Sequence, residues 1–263
     1  MPTIRNFAVA KTHHQRLVVV TSYDAWSARL LSDAPVDALL VGDSVMMVVH
    51  GERDTLGATV ELMEMHTRAV ARGAPDKLII ADFPFLAARQ GTAYALDCAA
   101  RLMRAGAHAV KIEGIRGHAD VIHHLIESGV PVMGHLGLQP QSVHTLGGYA
   151  VQGRSEEEAQ KILLDATALE AAGAFSIVLE CVPGKLASSI TAALTIPTIG
   201  IGAGPDCDGQ VLVLHDLLGL NPDFHPRFVR KFADGATLLQ DGINRYGKAV
   251  RSGDFPSAKE TFK

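Results

Sequence analysis

Leu39-Leu40-Val41-Gly42-Asp43-Ser44 is the stretch that decides the fold, because an apolar run stops at a glycine and a carboxylate and a hydroxyl follow at once. A buried strand that ends in a functional loop has this pattern. The pattern recurs where residues 78–81 precede Asp82, 109–112 precede Glu113, 131–134 precede His135 and 176–179 precede Glu180. The residues that follow these runs are therefore candidates for a common site.

The apolar runs predict eight strands that alternate with helices over about 250 residues, which is typical of a (β/α)8 TIM barrel. The predicted strands are 17–20, 38–41, 78–81, 109–112, 131–134, 176–179, 196–199 and 211–214. We predict one barrel domain over residues 1–263, with a short lead-in helix or arm in residues 1–16 and a helical C-terminal tail. A doubly wound open sheet is the alternative. Both folds place functional residues at the carboxyl ends of the strands.

Helix signals support this arrangement. Ser155 and Glu158 form a capping box, and Asp24 and Thr59 are candidate N-caps. Gly-Ala pairs begin at Gly73, Gly106 and Gly173 shortly before predicted strands, as expected of left-handed helix ends. The Gly-rich stretch 136–154 is long for a connection, which is typical of a functional loop or a lid.

Composition narrows the class of protein. The 263 residues are 48% hydrophobic and 20% charged, with a net charge of −4 and scattered basic residues, so we expect small-molecule substrates rather than nucleic acid or a membrane. The odd number of cysteines, without CxxC spacing, predicts reduced, buried thiols: Cys98, Cys181 and Cys207. The N-terminal residues show no apolar signal segment, and we expect a cytoplasmic location.

Three carboxylates follow successive predicted strands and should meet at the barrel mouth. Asp43, Asp82 and Glu113 would repel one another unless a cation neutralises them, and an all-oxygen ligand set suits Mg²⁺, or Mn²⁺ in its place. A metal with open positions could bind a 2-oxo acid and acidify its neighbouring C–H bond. The alternative for Asp43 or Asp82 alone is an N-cap or a turn.

Three further residues could take part in such chemistry. Lys111 shares a strand face with Glu113, so it either pairs with that carboxylate or binds an acidic ligand. Glu180 follows an apolar run and is suited to accept a proton, with capping or ion pairing as the alternative. His135 could contact a substrate or satisfy backbone groups.

Seven motifs, taken in order, resemble the 3-methyl-2-oxobutanoate (ketopantoate) hydroxymethyltransferase family over about residues 17–235. They are Leu40-Val41-Gly42-Asp43-Ser44, Ala81-Asp82-Phe83-Pro84-Phe85, Val110-Lys111-Ile112-Glu113-Gly114, Gly134-His135-Leu136-Gly137-Leu138-Gln139-Pro140-Gln141-Ser142, Gly147-Gly148-Tyr149 with Val151-Gln152-Gly153, Leu179-Glu180-Cys181-Val182-Pro183 and Ile199-Gly200-Ile201-Gly202-Ala203-Gly204.

The resemblance implies a (β/α)8 barrel that assembles as a homodecamer and uses one Mg²⁺ per subunit. It implies that a hydroxymethyl group passes from 5,10-methylenetetrahydrofolate to 3-methyl-2-oxobutanoate through a Mg-stabilised enolate, giving 2-dehydropantoate for pantothenate biosynthesis. By matched motif, the metal ligands are Asp43, Asp82 and Glu113, the last directly or through water. The oxo-acid contacts are Asp43, Ser44, Asp82, Lys111 and His135. Glu180 is the proton acceptor.

The chain departs from the family pattern at three places. The family's Asp-Ser-Thr-Leu-Pro-Val-Thr stands here as residues 53–59 with Arg53, Asp54 and Gly57, its Ser-Leu-Gly ends here in Met46, and its Gly-Tyr-Lys ends here in Ala150. These changes leave the proposed site residues intact, and a related enzyme with an altered oxo acid is one alternative. A lyase or mutase resembling the phosphoenolpyruvate mutase and isocitrate lyase group is another, although it requires a catalytic cysteine loop. A non-catalytic binding barrel is the third.

Overall fold

The computed structural model describes residues 3–262 of the chain. Its first compact unit ends at Val213 and contains a β-barrel surrounded by helices. The strands are β1 Leu17–Thr21, β2 Ala38–Val41, β3 Leu78–Asp82, β4 Ala109–Glu113, β5 Val132–Gly137, β6 Ser176–Glu180, β7 Thr198–Ile201 and β8 Gly209–Leu212. The helices are α1 Arg5–Thr12, α2 Ala25–Ser32, α3 Val45–Val48, α4 Val60–Gly73, α5 Thr92–Arg104, α6 Ala119–Glu127, α7 Val143–Leu146, α8 Glu156–Ala171 and α9 Gly184–Ala193, with 3₁₀ turns at Ala87–Arg89 and Pro140–Ser142.

The eight strands are parallel and pair in chain order, and β8 pairs with β1 to close the barrel. The (β/α)8 prediction is confirmed, and the open-sheet alternative is wrong because the pairing of Leu17 with Gly209 leaves neither terminal strand as an edge. One connection departs from the expected alternation. Residues 202–208 join β7 to β8 without a helix.

The barrel interior changes character along its strands. Alternate residues of a strand share a face, so the inward positions recur every second residue. Toward the amino ends these positions form an apolar core: Leu17, Val19, Ala38, Leu40, Leu78, Ile80, Ala109, Met133, Val178, Ile199 and Val211. The next inward positions of four strands carry Asp82, Lys111, His135 and Glu180. The strand faces that supply the apolar core therefore carry ionisable side chains at their carboxyl ends.

Helix α1 packs at the amino end of the barrel, which confirms the predicted lead-in helix; residues 1 and 2 of that prediction lie outside the described part. Phe7 and Ala10 belong to the apolar core, and the Phe7 ring meets the edge of the Phe175 ring with centroids 5.4 Å apart. Lys11 Nζ lies 2.8 Å from Asp208 Oδ2 and donates to Thr191 O at 2.9 Å. This end of the barrel is fastened by packing and one ion pair.

Two strand predictions were displaced along the chain. The strand predicted at 196–199 is Thr198–Ile201, and the strand predicted at 211–214 is Gly209–Leu212. At the second position a glycine is needed, because a Cβ at Gly209 would lie 2.6 Å from Leu17 O and 2.7 Å from Ile199 Cδ1. The apolar run therefore marked only the second half of β8.

The predicted caps are confirmed: the side chains of Asp24, Thr59 and Ser155 each accept a hydrogen bond from the first turn of a helix, and Ser155 completes a capping box with Glu158. Gly106 and Gly173 adopt left-handed backbone, as predicted. Gly73 does not. It ends α4 where a Cβ would lie 2.5 Å from Ala25 O, so its role is close packing against α2.

The second compact unit begins at Leu214 and contains the helices α10 Leu214–Leu217 and α11 Gly235–Ser252, which confirms the predicted helical tail. The assignment of residues 1–263 to one domain stays a prediction. Within residues 3–262, no helix is long and apolar enough to cross a membrane.

Candidate active site at the carboxyl ends of the strands

Strand register brings the predicted site residues together. Asp82 of β3 lies beside Lys111 of β4, and Glu113 of β4 lies beside His135 of β5. Asp43 follows β2, and its backbone N–H donates to Asp82 Oδ2 at 3.0 Å. The predicted convergence of these strand ends is confirmed.

Lys111 is the central cation of the cluster. Its side chain is buried, with Nζ 2.9 Å from Asp82 Oδ1 and 3.2 Å from His135 Nδ1. Burial favours the neutral amine, but the negative charges of Asp82, Glu113 and Asp43 outweigh it and raise the pKa of Lys111 above its usual range. Lys111 therefore remains protonated. Its close ionic partner is Asp82, whereas the sequence had suggested Glu113.

His135 lies between two carboxylates. Nε2 is 3.1 Å from Glu180 Oε2, at ion-pair distance without hydrogen-bond alignment, and Nδ1 is 3.5 Å from Glu113 Oε1. Burial and the charge of Lys111 favour the neutral ring, but the two carboxylates outweigh them and raise the pKa of His135 to about 9. His135 links Glu180 to the rest of the cluster.

The cluster has an excess of negative charge. Asp43, Asp82, Glu113 and Glu180 face one lysine and one histidine, which leaves at least two uncompensated negative charges when all four carboxyl groups are ionised. Burial and the charge of the neighbouring Asp82 raise the pKa of Asp43 well above its ordinary value, against the opposing effect of Lys111. The site is therefore suited to attract a cation.

The donor atoms fit a divalent metal. Asp82 Oδ1 and Glu113 Oε1 are buried and receive no aligned hydrogen bond, and hard cations prefer such carboxylate oxygens. Within residues 3–262, no three His, Cys, Asp or Glu side chains are already arranged around one metal position. The fit is thus one of charge and donor chemistry, and the assignment of Asp43, Asp82 and Glu113 as ligands stays a prediction.

Ser44 adds a hydroxyl to this end of the barrel. Its Oγ lies 2.8 Å from the hydroxyl of Tyr23, which the sequence reasoning did not select. Tyr23 is buried, and burial raises the pKa of its phenol above the ordinary range. Tyr23 stays neutral and can orient Ser44. The only signal in the sequence is its place two residues after β1.

Gln141 is a second residue that the sequence reasoning did not assign to the site. It lies in the 3₁₀ turn Pro140–Ser142. Its Nε2 donates to Asp43 Oδ2 at 2.7 Å and to Phe83 O at 2.8 Å, and its backbone N–H donates to Glu113 Oε2 at 3.2 Å. The segment predicted as a loop over residues 136–154 thus contributes a hydrogen-bond donor to the carboxylate cluster, although its first two residues belong to β5 and residues 143–146 form α7.

The residue after Glu180 has an unusual backbone. Cys181 adopts a left-handed conformation with φ of 46°, which is strained for a residue with a side chain, and its N–H donates to Ile201 O at 2.9 Å. Burial, with a contribution from the charge of Glu180, raises the pKa of the Cys181 thiol to about 11. Cys181 is therefore protonated at neutral pH, and all three cysteines are free and buried as predicted.

Comparison with known proteins identifies a family for this chain. A family model described as ketopantoate hydroxymethyltransferase matches residues 2–258. The chain is 52% identical over 262 residues to the 3-methyl-2-oxobutanoate hydroxymethyltransferase of Bdellovibrio bacteriovorus, covering 100% of both chains. It is 46% identical over 262 residues to the protein of the same name from Francisella tularensis subsp. novicida, covering 100% of this chain and 99% of that one.

Solved structures match more distantly. A 2,3-dimethylmalate lyase, a member of the PEP mutase/isocitrate lyase superfamily, superposes with a TM-score of 0.61 and 18% identity, covering 100% of this chain and 92% of the lyase. At this identity the match shows a shared fold and nothing about activity.

Proposed function

The chain belongs to the ketopantoate hydroxymethyltransferase family, and we propose how the residues at the carboxyl end of its barrel perform that family's reaction. The family predicted from the motifs is confirmed. The protein is an enzyme of pantothenate biosynthesis that transfers a hydroxymethyl group to 3-methyl-2-oxobutanoate, and it uses a one-carbon cosubstrate. The finer proposal is that 5,10-methylenetetrahydrofolate is the donor and that Mg²⁺ assists.

We assign the binding of the oxo acid to the centre of the cluster. Lys111 Nζ, held 2.9 Å from Asp82 Oδ1, presents a positive charge to the substrate carboxylate, and Ser44 offers a hydroxyl at the same end of the barrel. Mg²⁺ held by Asp43, Asp82 and Glu113 would polarise the keto oxygen and acidify the neighbouring C–H bond. Without a cation, four carboxylates would repel an anionic substrate.

We assign proton removal to Glu180. The carboxylate takes the C3 proton of the oxo acid, and the electron pair of that C–H bond is delocalised into the keto group. His135, whose Nε2 lies 3.1 Å from Glu180 Oε2, holds the carboxylate in place. C3 then forms a bond to the methylene carbon of the donor. The two bonds from that carbon to the folate nitrogens break, water supplies the oxygen of the new hydroxymethyl group, and the proton from C3 and one proton of water go to the two nitrogens, so tetrahydrofolate leaves and 2-dehydropantoate is the product.

The contact between Glu180 and His135 is the observation that best supports this assignment. It joins Glu180, the last residue of β6, to His135 of β5, and His135 in turn lies 3.5 Å from Glu113 Oε1 of the carboxylate cluster. The lyase alternative needs a reactive cysteine near the site, whereas burial holds the Cys181 thiol protonated.

Proton NMR of 3-methyl-2-oxobutanoate in D₂O tests the proposal. Purified protein with Mg²⁺ should remove the C3 proton signal, and a chelator should stop the exchange. Glu180→Gln should slow the exchange about 10²–10⁴-fold, as expected for loss of a general base, while oxo-acid binding is retained.

Glu127→Gln is the matched control, since Glu127 is an exposed residue of α6. It should exchange C3 protons at the unaltered rate. Unchanged exchange in Glu180→Gln would remove Glu180 from its role, and exchange that is insensitive to chelator would remove the metal from the mechanism.

We further propose a cytoplasmic homodecamer, as the family resemblance implies. Light scattering coupled to size exclusion should then give ten times the 27.9 kDa mass of one chain. A mass of one or two chains at micromolar concentration would contradict the assembly but leave the chemistry unaffected.

A further inference from the structure

We propose that Gln141 is a positioning residue that orients the Asp43 carboxylate and fastens the loop after β5 over the site. The inference rests on the proposed function of that site. Gln141 belongs to the segment that connects β5 to α8, residues 138–155. It is half-buried, whereas its partner Asp43 is buried.

Three hydrogen bonds join Gln141 to three strand ends. The side-chain amide donates to Asp43 Oδ2 after β2 and to Phe83 O after β3, and the backbone N–H donates to Glu113 Oε2 at the end of β4. The carbonyl oxygen of Phe83 can only accept a hydrogen bond, and the Asp43 carboxylate accepts in its ionised form, so the NH₂ group faces both oxygens. The orientation of the amide is therefore fixed by its neighbours.

A neutral donor suits this position for an electrostatic reason. The backbone N–H of Asp43 donates to Asp82 Oδ2, so the two aspartates are adjacent, and the Asp43 carboxylate needs a partner that fixes its direction. A lysine or arginine there would cancel the charge that a divalent cation requires. An amide fixes the carboxylate and leaves its charge in place, and groups that orient metal ligands in this way tune metal affinity.

Gln141 also completes the attachment of the loop. Near its start, the N–H of Leu138 donates to Glu180 O at 2.8 Å, and near its end the N–H of Gln152 donates to Cys181 O at 2.9 Å. Both of those anchors are on β6 or directly after it. Gln141 supplies the attachment on the opposite side, to the ends of β2, β3 and β4. The attachment of residues 138–155 to the barrel and the orientation of the Asp43 carboxylate are therefore coupled through the Gln141 side chain.

Hydrogen exchange of the metal-free protein tests the coupling without any substrate. Gln141→Ala should speed amide exchange in residues 138–152 about 10-fold, the effect of one or two lost hydrogen bonds on local opening. Gln141→Glu, similar in size but unable to donate as a carboxylate, should have the same effect. Gln139→Ala is the matched control, because Gln139 lies in the same loop with its side chain near Gly114; its exchange should stay within about 2-fold.

Titration calorimetry with Mg²⁺ alone tests the orientation of Asp43. Gln141→Ala should weaken Mg²⁺ binding about 10-fold, as is typical of residues that position metal ligands. Wild-type exchange in Gln141→Ala would overturn the proposal. Wild-type exchange in Gln141→Glu would also overturn it, because side-chain volume without a donor would then be sufficient. Faster exchange with unaltered Mg²⁺ affinity would also overturn it. A wild-type protein that binds no Mg²⁺ would refute the proposed metal, while the exchange data would still decide the role of Gln141 in the loop.

Discussion

Along β3, Leu78 and Ile80 point into an apolar core, whereas Asp82, two residues further on, points into a cluster of charges. The other site strands repeat this change: Ala109 is followed on its face by Lys111, and Met133 by His135. The two ends of one barrel interior thus have opposite compositions. The inward positions at the amino end are apolar, and the carboxyl end buries charges that repel one another.

The difference separates stability from activity. Apolar burial at the amino end stabilises the fold roughly in proportion to the area removed from water. Buried charges at the carboxyl end favour the fold only to the extent that they are paired, and the four carboxyl groups of the cluster outnumber its two cationic partners, Lys111 and His135. Substitutions at the carboxyl end should therefore lower activity more than stability, and substitutions at the amino end should lower stability more than activity.

The largest expected effect is at the carboxyl end. Asp43→Asn should lower turnover about 10³-fold, because it removes a carboxylate that we propose as a metal ligand. The same change should raise the free energy of unfolding of the metal-free protein by about 1 kcal/mol, because Asp43 no longer repels Asp82. Urea unfolding in the presence of a chelator and steady-state rates with Mg²⁺ measure the two effects.

Asp97→Asn is the control for that substitution, since Asp97 is an exposed aspartate of α5. Neither stability nor turnover should change there. A strongly destabilised Asp43→Asn protein would contradict the comparison, because it would mean that the charge cluster stabilises the fold.

The converse effect is expected at the amino end. Phe7→Ala should lower the free energy of unfolding by about 3 kcal/mol, since Phe7 is 1% exposed and its removal leaves a cavity against Phe175. Turnover per folded molecule should be unaltered. Val9→Ala on the same helix is the control, because Val9 is 51% exposed and its loss should cost less than about 0.5 kcal/mol. A large loss of turnover in Phe7→Ala would show that the two ends are not independent.

The sequence predicted the features that depend on local periodicity. Apolar runs located all eight strands, and the residue that ends each of five runs is part of the charge cluster or lies beside it. Parallel strands in a barrel share one direction, so these residues had to meet once the fold was correct.

The features that were missed depend on tertiary contacts. Gly209 begins β8 because Leu17 and Ile199 leave no room for a Cβ, and nothing in the local sequence shows this. Gln141 and Tyr23 act through partners that are distant in the chain, Asp43 and Ser44 respectively. A polar residue in a loop has no periodic pattern that would reveal such a partner.

The rim of the carboxyl end contains an apolar contact, like those at the amino end, beside its cluster of charges. Met46 is buried, and a Cβ added at Gly57 would lie 3.0 Å from Met46 Cε. The N–H of Glu52 donates to Met46 O at 2.9 Å, which folds the loop before α4 back over α3. Met46 and Gly57, two of the residues at which this chain departs from its family's motifs, therefore share one space.

The smallest expected effect follows from that shared space. Gly57→Ala should lower the free energy of unfolding by about 0.5–1 kcal/mol, because its methyl group must displace the end of the Met46 side chain, which is flexible and can move partly aside. In a Met46→Ala background the same methyl group meets open space, and its effect should fall below about 0.3 kcal/mol. Urea unfolding of the wild type, the two single variants and the double variant gives the coupling energy directly. Additive effects would show that Met46 does not occupy the space beside Gly57, and the rim would then differ from the amino end in packing as well as in charge.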